Sequence, residues 1–98
     1  MKKYILDCAF IKTDGDFWEL YCNMVQPEGK EYFGRNLDAF RDAVSAGGPG
    51  WPGECLIELI HTKKFARENA HFYKGLQGIA DDLARYAGVN ILVPDMLL

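Results

Sequence analysis

Six consecutive residues, Cys55-Leu56-Ile57-Glu58-Leu59-Ile60, are apolar except for one carboxylate, and they leave few folds open to the chain. A strand with one wet face alternates apolar and polar residues. This run does not, so it reads as a central strand covered on both sides. Two shorter apolar runs accompany it: Lys3 to Cys8, whose contiguous Tyr4, Ile5 and Leu6 are of the kind buried on both faces of a parallel sheet, and Val89 to Val93, stopped by Pro94. Segments of helical character separate the three runs and are long enough for the crossovers that parallel strands require. The expected fold class is therefore α/β: a single small domain over residues 1–98, with a three-stranded parallel sheet packed with three to four helices. A chain of 98 residues has room for one such core.

In the first crossover, Asp16 and Glu19 have the spacing of a capping box, and Phe17, Leu20, Tyr21 and Met24 form an apolar stripe that ends before Pro27 and Gly29. Asn36 is the expected N-cap of a second helix reaching about Ala46, because Leu37, Phe40 and Val44 recur at helical spacing. The seven residues 47–53 hold four glycines and two prolines and read as a loop carrying Trp51. In the second crossover, Thr62 caps a short turn through Phe65. Asn69 then caps the longest helix, with Phe72, Leu76, Ile79, Leu83 and Tyr86 as its stripe and Gly88 as its C-cap. Gly75 and Gly78 each cost that helix about 1 kcal/mol relative to alanine unless a neighbour packs closely over them, and close packing is the expectation.

Fourteen acidic against eleven basic residues give a net charge of -3, the wrong sign for a chain that gains affinity by neutralising nucleic-acid phosphates. Neither G-x-G-x-x-G nor G-x-x-x-x-G-K-[ST] occurs, so no nucleotide cofactor is expected. The three cysteines, Cys8, Cys22 and Cys55, are odd in number and lack C-x-x-C spacing, which argues against a disulfide framework or a zinc site and for a reducing, cytoplasmic setting. No apolar run approaches the roughly eighteen residues of a membrane span, and Asp7 and Asp14 interrupt the N-terminal stretch too early for a signal peptide.

On a helical wheel, Leu37, Phe40 and Val44 share one face of the second helix and Asp38 and Asp42 the opposite one. Like charges four residues apart cost an isolated helix about 0.2–0.5 kcal/mol, so stability alone does not select the pair. The plain reading is a solvated face, with Asp38 favoured by the helix dipole and Arg35 or Arg41 screening the carboxylates. The functional reading is an anionic site for a cationic pocket on a protein partner, flanked by Tyr32 and Trp51 as aromatic anchors. Phe33 is assigned to the core, and Trp51 is divided between covering the core and anchoring a partner. A carboxylate-dependent enzyme is a third reading, set back because an outward helix face offers no pocket to shift a pKa or gather metal ligands. Cys8, His61 and His71 have no nucleophile motif around them and read as a buried thiol and surface imidazoles.

The segment Tyr32-Phe33-Gly34-Arg35-Asn36-Leu37-Asp38-Ala39-Phe40-Arg41-Asp42 resembles the signature of the barstar family of ribonuclease inhibitors. The resemblance is local and specific, and chain length and element order agree with it. It implies a cytoplasmic immunity protein or antitoxin that occludes the active site of a basic ribonuclease one-to-one, without catalysis; no cofactor or metal is expected, and, with no dimerisation signal in the sequence and a second helix that must stay free to bind, a monomer is expected when unbound. In that frame Asp42 enters the phosphate-binding pocket and Asp38 pairs with a neighbouring arginine. Tyr32 packs near the catalytic histidine, and Gly34 and Asn36 supply backbone and cap. Arg41 stands where an aromatic is expected and puts a positive charge toward a basic rim. That departure, with the glycine loop, keeps open a toxin of different activity. Trp51 corresponds to a second family aromatic, and either Asp81 or Asp82 to an acidic contact on the last helix.

Overall fold

The computed structural model describes residues 2–83 and 88–95. The chain runs β1 (Lys2–Asp7), α1 (Asp14–Val25), a 3-10 turn (Lys30–Tyr32), α2 (Leu37–Ala46), β2 (Cys55–Ile60), α3 (Lys63–Glu68), α4 (Ala70–Leu83) and β3 (Val89–Leu92). The sheet is parallel in the order β1-β2-β3, which puts the Cys55 run in the middle, as its sequence predicts. The α/β class, the three parallel strands and four α-helices agree with the sequence reading.

The covering of the sheet differs from that reading. The register sets Leu6 beside Leu59, Ile57 beside Ile91 and Cys55 beside Val89, and all six are buried on the face carrying the helices. The opposite face holds Lys3, Leu56 and Asn90 in one row and Ile5, Glu58 and Leu92 in the next, half-buried or exposed. Ile5 is 45% and Leu92 50% exposed, so neither β1 nor β2 is covered on both sides. Apolar residues on the open face remove the alternation that would have betrayed it.

Helix α1 begins at Thr13, not at Asp16: the Thr13 hydroxyl accepts from Asp16 N at 3.1 Å and the Asp16 carboxylate accepts from Thr13 N at 3.2 Å, a reciprocal capping box. Its buried stripe is Phe17, Trp18, Tyr21, Cys22 and Val25, while Leu20 is only partly buried and Met24 is exposed. The stripe is turned toward Trp18, the largest apolar surface available to bury. Trp18 then sits among Phe17, Phe33, Phe40 and Phe72, with ring centroids 5.2–5.5 Å away and mostly edge-to-face.

Asn69 does not cap α4 with its side chain; its amide donates to the Lys12 and Phe65 carbonyls and ties α3 to the loop after β1. Thr62, likewise, makes no side-chain cap to α3. A Cβ on Gly75 would come within 2.4 Å of Leu37 Cδ1, so α4 receives the first turn of α2 there, as expected; Gly78 has nothing within 4 Å and does not serve that purpose. The expected end of α4, with Tyr86, lies outside the described residues, and β3 stops at Leu92.

Candidate functional site

Four devices present α2. Asn36 caps it, its side chain accepting from Ala39 N at 2.8 Å and donating to the Gly34 carbonyl at 3.2 Å. Gly34 has no room for a side chain to spare, since a Cβ there would lie 3.1 Å from that of Ala39. Below the helix, Phe40, Ala43 and Val44 are buried. At the far end Gly47, at φ 80°, closes α2 with its N–H on the Ala43 carbonyl at 3.0 Å.

The loop after α2 is tied down. Tyr21 donates its buried hydroxyl to the Gly50 carbonyl at 2.7 Å, Gly50 N donates to the Glu28 carbonyl at 2.7 Å, and Glu28 N to the Trp51 carbonyl at 3.0 Å. Gly50, at φ +97°, lies close against the Phe33 ring, where a Cβ would approach within 2.6 Å. Phe33 is 6% exposed and its neighbour Tyr32 81%, which gives the two aromatics different tasks. Trp51 is half-buried and packs against the core.

Asp38 and Asp42 are exposed on successive turns of α2. The arginines expected to screen them are engaged elsewhere. Arg35, in a left-handed conformation at φ 51°, donates to Glu19 of α1 at 3.0 Å. Arg41 donates to Asp82 of α4. Among the described residues neither Asp38 nor Asp42 has a cationic side chain at ion-pair distance. Asp82 thus faces α2, whereas Asp81 lines a groove of about 600 Å³ between α4 and β3, with Ile91 and Pro94. A cleft of about 340 Å³ opens beside Asp38, between Asp14, Leu37 and His71.

Sequence reasoning missed Glu19 and Asp82 as partners of the arginines, because 16 and 41 residues separate the pairs and no local pattern marks them. Nor did it single out Phe10, which is 90% exposed in the loop after β1. The thiols are poor nucleophiles: burial pushes Cys8 up to about 12 and raises Cys22 and Cys55 as well. His61 Nδ1 lies 2.9 Å from Asp7 Oδ1, and the Cys8 thiol donates to the Leu6 carbonyl. No group of three metal-ligating side chains converges among the described residues, and no described helix is long and apolar enough to cross a membrane.

The site is therefore a well-anchored helix face with two exposed carboxylates that have no ion-pair partner among the described residues, beside an exposed tyrosine, an arrangement suited to meeting a cationic surface. A search of curated proteins gave no significant match. The model of one protein family, described as Barstar (barnase inhibitor), matches residues 1–93, nearly the whole described fold including α2 and its flanking loops. On that match the chain belongs to the Barstar family.

Proposed function

We propose that this protein inhibits a small basic ribonuclease of the barnase kind by seating α2 and its flanking loops in the enzyme's active site, one-to-one. The observation that carries the reading is the separation of charge on α2: both nearby arginines are drawn aside by Glu19 and Asp82, which leaves Asp38 and Asp42 without a cation among the described residues. A ribonuclease site is rich in cationic groups that hold phosphate, and two carboxylates on a capped helix can stand in for that anion. Asp42 is the central contact and Asp38 the flanking one. Tyr32 and Trp51 supply aromatic surface, while Gly34 and Asn36 fix the approach of the backbone. With Arg41 already in an ion pair, the charge objection to a basic target loses its force. An immunity role, acting in the cytoplasm of the cell that makes the nuclease, follows from this activity, and family members described as inhibitors favour occlusion over catalysis.

The test is RNA cleavage by barnase titrated with the parent and with Asp42→Ala. Stoichiometric inhibition by the parent that weakens with salt, and is lost or much reduced in the variant, is the expected result. Undiminished inhibition by Asp42→Ala would remove α2 from the interface. No inhibition by the parent would turn the search toward a toxin of another activity.

A further inference from the structure

The stretch from Tyr32 to Ala46 contains two arginines and two aspartates, so by itself it is formally neutral. Its acidic character comes from other elements: Glu19 of α1 holds Arg35 and Asp82 of α4 holds Arg41. The second pair matters more, because Arg41 is three residues after Asp38 and next to Asp42. Residues three apart on a helix are neighbours, so a released Arg41 has Asp38 within reach as an alternative partner. It would then cancel a carboxylate and place a cation inside the footprint. Held by Asp82, the guanidinium is turned toward α4, and the close seating of Leu37 against Gly75 keeps the two helices near enough for the bond.

We infer that Asp82 is a positioning residue that makes the binding face acidic by masking Arg41, rather than a residue that itself bonds the partner. The inference rests on the proposed inhibition of a basic ribonuclease. The discriminating quantity is whether the effect of Asp82 depends on Arg41.

The experiment measures inhibition of barnase at moderate salt by the parent, Asp82→Asn, Arg41→Gln, the double variant and Asp82→Glu, with Asp42→Ala as the control for the interface. All these side chains are exposed, so folding is preserved. Masking requires Asp82→Asn to weaken inhibition about tenfold or more, the same change to cost less than about threefold in the Arg41→Gln background, and Asp82→Glu to restore the parent value to within about threefold. An equal loss in both backgrounds makes Asp82 a direct contact and overturns the inference while leaving the inhibitory function intact. So does no loss in either background. Failure of the parent to inhibit, or full activity of Asp42→Ala, overturns the functional reading instead, and the inference with it.

Discussion

On the open face of the sheet, Lys3 of β1 bonds Glu58 of β2 at 3.1 Å, and the surrounding Ile5, Leu56 and Leu92 carry no charge. On the outward face of α2 the charges are handled in the opposite way. Arg41 on it and Arg35 just before it are bonded to carboxylates on other helices, and its own carboxylates face water. Both faces are exposed, yet the first pairs Lys3 with Glu58 and the second leaves Asp38 and Asp42 without a cation among the described residues. Exposure alone does not distinguish a surface at rest from one built to bind; the destination of each charge does.

The largest change should come from beneath the binding face. Phe40→Ala removes a buried ring against Trp18 and Tyr21 and should cost about 3–5 kcal/mol in urea or thermal unfolding, so that the two faces fail together. Asp42→Ala should separate them. The affinity for barnase should fall by at least about 2 kcal/mol, roughly 30-fold, and by more than for Asp38→Ala, while stability rises by about 0.2–0.5 kcal/mol as a like-charge neighbour is removed. Gly50→Ala, which forces a side chain at φ +97° into the Phe33 ring, should destabilise by about 2 kcal/mol in denaturant titration and loosen the loop bearing Trp51.

On the open face, Glu58→Gln should change stability by under about 1 kcal/mol and leave inhibition unaltered; a clear loss of inhibition would erase the contrast between the faces. The smallest effect is expected at Asp7, whose carboxyl is held below its ordinary value of 3.8 by the hydrogen bond to His61 and then by that to Ala9 N. A lowered folded-state pKa contributes stability above the ordinary value and loses it as pH falls through the lowered one. Asp7→Asn should therefore lower the melting temperature slightly at neutral pH, leave it nearly unchanged below about pH 2, and so flatten the acid limb between about pH 5 and about pH 2.

The order of elements and the central strand were legible because short apolar runs and caps are local signals: Asn36, Gly47 and the run from Cys55 all stand where their residue types predict. The uncovered sheet face was not. Leu56, Ile60 and Leu92 are apolar whether or not a layer lies over them, and sequence records the residue but not its cover. The turn of α1 toward Trp18 was missed because the stripe was anchored on a later cap, and Thr13 moves the start of the helix back. Asp38 and Asp42 were visible as a pair, but their freedom was not, since it depends on Glu19 and Asp82 arriving from distant segments.

The caps and ties around α2 bear finally on time. A footprint closed by Asn36 and Gly47 and tied through Tyr21 to Gly50 has little rearranging to do on encounter, so collisions in the right orientation are productive. Joined to carboxylates without an ion-pair partner among the described residues, that readiness suits fast capture of a basic partner of the proposed kind, since electrostatic steering carries association toward about 10⁸–10⁹ M⁻¹s⁻¹ at low salt. Under the proposed function, the deciding contest is whether a ribonuclease meets this protein or RNA first.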